Sequence, residues 1–126
     1  MSKTIIVAGT YAWEEKLLKA TTPVEIISPF SDPAAESPDT QRAFEEALNR
    51  GYRLGNLFES IEKMRPQITN PITLRIYANP IVRYGKDAFM ARLAALGIGQ
   101  VIIQDAPRAE RGEFETEALR HGVEIV

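Results

Sequence analysis

Five short apolar runs, each rich in Val and Ile, punctuate the chain: Thr4 to Gly9, Val24 to Ser28, Thr73 to Asn79, Gln100 to Asp105 and Val123 to Val126. They read as strands. Their apolarity is continuous rather than alternating, the pattern of strands covered on both faces in a parallel sheet, although a short apolar run can also be a buried helix segment. Helical patterns fill the intervals. Trp13 to Ala20 is short, with Trp13, Leu17 and Leu18 at core spacing. A second helix starts with Ser37 as cap and Pro38 at its first position and runs through Phe44, Ala47 and Leu48 to Gly51. A third, Leu54 to Met64, carries Leu54, Leu57, Phe58 and Ile61 at spacings of three and four, must stop before Pro66, and is read as pairing with the second. Lys86 to Leu96, ended by Gly97, and Glu113 to Arg120, ended by Gly122, complete the series. Strand and helix therefore alternate, which implies right-handed βαβ units and places ligands beyond the carboxyl ends of the strands.

Length and charge narrow the function classes. At 126 residues, with 15 basic and 17 acidic side chains and a net charge of -2, one α/β domain is expected and a dedicated nucleic-acid binder is not. No run approaches the roughly 20 apolar residues that a membrane span needs, and the start, MSKTIIVAG, has no secretory pattern, so the expectation is a cytoplasmic protein without a membrane partner. The chain has no Cys and one His. That removes disulfides, thiolate nucleophiles and sulfur-based zinc sites, and neither a metal nor a cofactor is expected.

The segment Glu25 to Gln41 is the most informative, because it sets an acid inside an apolar strand and follows it with a Pro-rich, acidic loop. A carboxylate flanked by Val24, Ile26 and Ile27 is costly to bury unless it is paired or faces a polar cavity. Glu25 is thus either a site acid or an edge-strand Glu facing solvent. Arg75, inside the third run, needs an acid partner, and Glu25 on the neighbouring strand can provide it. In that case Glu25 is a structural ion pair instead of a proton shuttle. Asp32 and Glu36 taken alone read as turn and cap chemistry. His121, next to Gly122, reads as a cation at a helix end. Gly97-Ile98-Gly99 precedes a strand and reads as a helix-ending turn. The turn Ala8-Gly9-Thr10-Tyr11 follows one, so a phosphate or mononucleotide loop is the alternative there.

Taken together these residues resemble the tryptophan synthase alpha subunits. That family's motif is a Glu in strand two, then Pro-Phe-Ser-Asp-Pro, a small pair, an acid, and a Pro before the next helix. Glu25, Pro29 to Pro33, Ala34, Ala35, Glu36 and Pro38 match it in order and spacing. Arg42 to Phe44, Tyr77-Ala78-Asn79, Asp87 to Phe89, Asp105-Ala106-Pro107 and Ala118 to His121 look like family counterparts too. Glu36 stands where the family carries Asp, Ser37 where it carries Gly, and Asp39 where it carries Thr. The resemblance implies a lyase that cleaves indole-3-glycerol phosphate to indole and glyceraldehyde 3-phosphate on a TIM barrel partnered by a beta subunit. It further implies Glu25 and Glu36 as the catalytic acids, Tyr77 as a substrate contact, and Pro29, Phe30, Asp32, Asn79, Asp105 and Pro107 on the face toward the partner.

Five strands are fewer than the eight of a TIM barrel, which takes about 250 residues and typically makes its phosphate site after strands seven and eight. Two architectures accommodate them. One is a flavodoxin-like open sheet, which the length favours; the other is half of a TIM barrel, whose exposed strand edges can pair two copies into a homodimer. The expectations are therefore a parallel five-stranded sheet with flanking helices, weak or absent lyase activity for want of a phosphate grip, and, as the alternative, a natural or engineered scaffold or binding module without catalysis.

Overall fold

A computed structural model describes residues 3–31, 36–106 and 110–126. In chain order its elements are β1 (Thr4–Val7), α1 (Trp13–Lys19), β2 (Val24–Ile27), α2 (Pro38–Asn49), α3 (Leu54–Met64), a 3-10 turn (Arg65–Gln67), β3 (Ile72–Ile76), α4 (Ala78–Tyr84), α5 (Lys86–Ala95), β4 (Gln100–Ile103), α6 (Gly112–His121) and β5 (Glu124–Ile125). All strand pairings are parallel, and the order across the sheet is β1-β2-β3-β4-β5. Of the two architectures open to the sequence, this sequential order is that of a half barrel. A flavodoxin-like sheet carries its first strand inside, between the second and third.

Winding in one direction separates the two faces of the sheet. Register partners share a face, so Ile6, Ile26, Leu74 and Val101 form one row. That row meets Leu17, Leu57, Phe58, Ile61, Phe89, Leu93 and Phe114 from the helices in a single buried cluster. Burial of this outer face drives folding, at roughly 25 cal/mol per Å² of apolar surface removed from water. The opposite rows, Ile5-Glu25-Thr73-Gln100 and Val7-Ile27-Arg75-Ile102, form the inner face. Ile5 is 57% exposed there, while Ile27 is buried with Phe44 and Tyr77.

The expected punctuation is present. Ser37 Oγ accepts the Thr40 amide at the start of α2, with Pro38 in the first turn. Gly97 and Gly122 take positive φ after α5 and α6. Gly97-Ile98-Gly99 is a turn between α5 and β4, held by the Arg65 guanidinium, which donates to the Gly97 carbonyl at 3.0 Å.

Three readings are corrected. The third strand ends at Ile76 rather than Asn79, and an unforeseen helix, α4, starts at Ala78. Pro80 lies in its first turn, where the missing N–H costs nothing. The helices read as a pair serve different faces: Phe44 of α2 packs on the inner cluster, whereas Leu57, Phe58 and Ile61 of α3 belong to the outer core. Leu18 is 42% exposed, although Trp13 and Leu17 are buried as expected, because the seven-residue α1 turns only one narrow stripe inward.

His121 ends α6, and its Nε2 lies 3.0 Å from Asp87 Oδ1, to which Arg120 also donates at 2.6 Å. This exposed cluster ties α6 to the first turn of α5. The His121 and Arg120 hydrogen bonds hold the Asp87 carboxyl below its ordinary value of 3.8. A lowered folded-state value contributes stability above the unfolded value and loses it as pH falls through the folded one. Asp87→Asn should therefore have a slightly lower Tm than the parent chain at pH 7, and the difference should vanish at acid pH below the Asp87 titration, as read by thermal melts across pH.

Candidate functional site

The inner face of the sheet carries an acid at its centre. Glu25 is 4% exposed although its face is only partly covered, and two cations account for that burial. Lys3 Nζ donates to Oε1 at 2.7 Å, and Arg75 Nε lies 3.4 Å from Oε2. The pairing of Glu25 with Arg75 follows from the sheet: Arg75 is opposite Ile27, one step of the pleat beyond Glu25 on the same face. Lys3 was missed from the sequence. Its signal was parity, since Lys3 stands two residues before Ile5, the register partner of Glu25, and so belongs to the inner face.

Beyond Glu25, toward the carboxyl ends of the strands, Ile27, Phe44 and Tyr77 close over one another, with Val7 and Phe30 against them. The Tyr77 ring stacks on Phe30 at 4.5 Å, and its hydroxyl donates to Glu36 Oε2 at 2.7 Å. Burial pushes the Tyr77 hydroxyl well above its ordinary range, and the Glu36 hydrogen bond adds to the shift while Arg75 opposes it. Tyr77 is therefore a donor at all ordinary pH, and it fixes where Glu36 points.

Two hollows flank this cluster. One, of about 490 Å³, is lined by Pro29, Phe30, Tyr52, Asn79, Arg83 and Tyr84 among others. The other, of about 480 Å³, lies at the end of β4 and is lined by Glu25, Arg75, Ile102, Asp105 and Arg111 among others. Asp105 Oδ1 accepts the Ala78 amide at 2.7 Å and so starts α4.

The residues singled out from the sequence thus fall into three groups. Glu25 and Asp105 face one hollow; Pro29, Phe30 and Asn79 face the other; and Glu36 and Tyr77 are joined between the strands and α2. Glu36 is not among the described residues lining the hollow that Glu25 enters. Asp32 and Pro107 lie outside the described residues. The alternative phosphate turn after β1 is covered: Gly9 has φ +81, and a Cβ placed on it would fall 2.6 Å from the Tyr52 ring.

A family model described as tryptophan synthase alpha chain matches residues 8–126. The chain belongs to that family. Among similar curated proteins, the tryptophan synthase alpha chain of Petrotoga mobilis is 37% identical over 103 residues, covering 82% of this chain and 40% of that one. The Picosynechococcus alpha chain is 38% identical over 103 residues, with 82% and 39% covered. Among solved structures, the alpha subunit from Legionella pneumophila superposes with a TM-score of 0.88 at 30% identity, over 98% of this chain and 50% of that one. The tryptophan synthase complex from Pyrococcus furiosus gives 0.87 at 28% identity, over 98% and 54%. This chain therefore spans about two fifths to one half of the length of the alpha chains it matches.

The double compensation of Glu25 gives an ordered prediction. Glu25→Gln leaves Arg75 and Lys3 without their carboxylate and should cost about 2–3 kcal/mol. Arg75→Met leaves Glu25 with Lys3 and should cost less, about 1 kcal/mol. Urea denaturation of the two variants checks the order; an equal loss would mean that Lys3 contributes nothing.

Proposed function

We propose that this chain provides the acid-bearing front half of a tryptophan synthase alpha-type lyase site. In that reaction the carbon–carbon bond of indole-3-glycerol phosphate breaks while indole C3 is protonated and a side-chain hydroxyl loses its proton; positive character develops at the indole nitrogen. Glu25 takes the proton-shuttling role, with one oxygen held by Lys3 and its side chain lining a hollow at the strand ends. Glu36 takes the role of indole N–H acceptor, oriented by Tyr77, which also serves as a substrate contact. The observation that carries this reading is a nearly fully buried carboxylate in β2 opening onto a hollow. A cytoplasmic location belongs to the same proposal.

Efficient turnover by this segment alone is not expected. The phosphate grip of a TIM barrel comes from loops after strands seven and eight, and the remote binding energy that such a grip supplies is what orients the reacting atoms. The inner face itself also departs from a packed barrel core: Ile27, Phe44 and Tyr77 cover the mouth, and Arg75 brings a charge to the floor.

Partner docking is the second reading. Pro29, Phe30 and Asn79 surround one hollow and Asp105 stands at the next strand end, a face suited to a beta subunit. One of the matched structures is described as a tryptophan synthase α2β2 complex from Pyrococcus furiosus. Self-association through the β1 and β5 edges is a third reading, favoured by the exposed Ile5 on the first edge.

A single set of measurements tests these assignments. Indole release from indole-3-glycerol phosphate should be slow, lower still in Glu25→Gln, and raised by a beta subunit, with molar mass followed in parallel. Equal rates in the parent chain and Glu25→Gln remove the catalytic assignment. No complex with a beta subunit removes the docking reading, and a monomer mass removes edge pairing.

A further inference from the structure

The hollow beside Glu25 is lined by two arginines whose hydrogen-bonding capacity the lyase reading does not use. Arg75 enters it from β3 and Arg111 from the turn before α6. The Nε–H of each guanidinium is buried, and among the described residues neither has a hydrogen-bond partner. A buried donor left unmade is costly, by about 1–3 kcal/mol and more for a charged group. Both side chains line the same hollow, and two guanidinium groups there with donors unmade point to something that belongs between them.

The acids nearby do not fill that need. Glu25 Oε1 is bonded to Lys3, and the 3.4 Å approach of Oε2 to Arg75 Nε is an ion pair without hydrogen-bond alignment. Asp105 Oδ1 accepts the Ala78 amide. Among the described residues lining the hollow, Arg75 and Arg111 stand beside Glu25 and Asp105, and neither acid takes up the two Nε–H groups. The guanidinium edge offers parallel N–H groups in the geometry that a carboxylate or phosphate accepts with two oxygens. The position also suits a ligand, since the wall is built from residues 102–106 at the carboxyl end of β4.

We infer that this hollow binds a small oxyanion, a carboxylate or phosphate group held between Arg75 and Arg111. Its volume of about 480 Å³ leaves room beside that group for a small organic body against Ile102. The inference does not rest on the lyase reading: anion binding without indole release leaves it standing, and indole release without anion binding defeats it alone.

The test is calorimetric titration of the full chain with inorganic phosphate and with succinate, in a constant chloride background. Saturable one-to-one binding of at least one of the two is expected, and the tighter of them identifies the headgroup. Arg111→Gln should weaken it by about tenfold or more, as loss of a charged hydrogen-bonding partner does. Arg50→Gln, a change at an exposed Arg elsewhere, should not weaken it. Should Arg111→Gln fail to fold, the Nε–H resonances of Arg75 and Arg111 in the parent chain give a second readout and should move on titration. Absence of saturable binding, equal weakening in the two variants, or Nε–H resonances that stay still would each overturn the proposal.

Discussion

A parallel sheet wound in one direction puts all of its right-handed crossovers on the same side, and every other property of this molecule follows from that asymmetry. The outer side is sealed by Leu17, Phe58, Ile61, Phe89, Leu93 and Phe114, which bury the apolar rows of all the strands in one cluster. The inner side receives no such cover. It is dressed by what the chain can bring across from the strand ends: Phe44 from α2, Phe30 from the loop after β2, and Tyr77 from the end of β3. Below them the face turns polar, with Thr73, Arg75 and Gln100 on the strands and Lys3 ahead of the first. A full barrel fills this space with layers of branched apolar side chains. Here it is left to ion pairs and hollows.

That arrangement decides what Glu25 is. An isolated carboxylate at 4% exposure would be prohibitively costly, so its presence requires the cations on either side. Lys3 and Arg75 come from elements that flank β2, one before β1 and one within β3, so the acid also ties three neighbouring stretches of chain together. A structural and a chemical role are compatible in this geometry because the two oxygens are engaged differently: Oε1 accepts a short bond, while Oε2 has only the looser approach of Arg75. Glu36 has the simpler environment of one phenolic donor, itself stacked on Phe30.

Much of this architecture was readable in the residues. Val and Ile runs marked the strands because each sends an apolar row into the outer core, although only β2 is buried at every position and the expectation of strands covered on both faces does not hold for the others. Ser37-Pro38, Gly97 and Gly122 marked the helix ends through cap chemistry and positive φ. The Glu25–Arg75 pair could be anticipated because an acid and a base inside adjacent strands have few other partners. What escaped was whatever depends on three-dimensional direction. The helix starting at Ala78 is held by a carboxylate 27 residues away, Phe44 crosses to the face opposite α3, and strand order is a matter of winding that no local pattern records. Arg111 joins the site through the turn before α6, and its neighbours in sequence carry no signal for that role.

The shortness of β5 gives the sheet a direction of weakness. Only Glu124 and Ile125 pair with β4, at Gln100 and Val101, while β2, β3 and β4 are laddered over four positions each. Backbone amides in the central strands are thus shielded by neighbours on both sides, and those of the last strand by one short ladder. Local opening, of the kind amide hydrogen exchange detects, is expected first at this end, where the last strand is held by that short ladder and by its packing on α6. Arg111 caps the start of α6, the helix packed on that strand, so one wall of the hollow beside Glu25 is built from the end of the sheet with the shortest ladder.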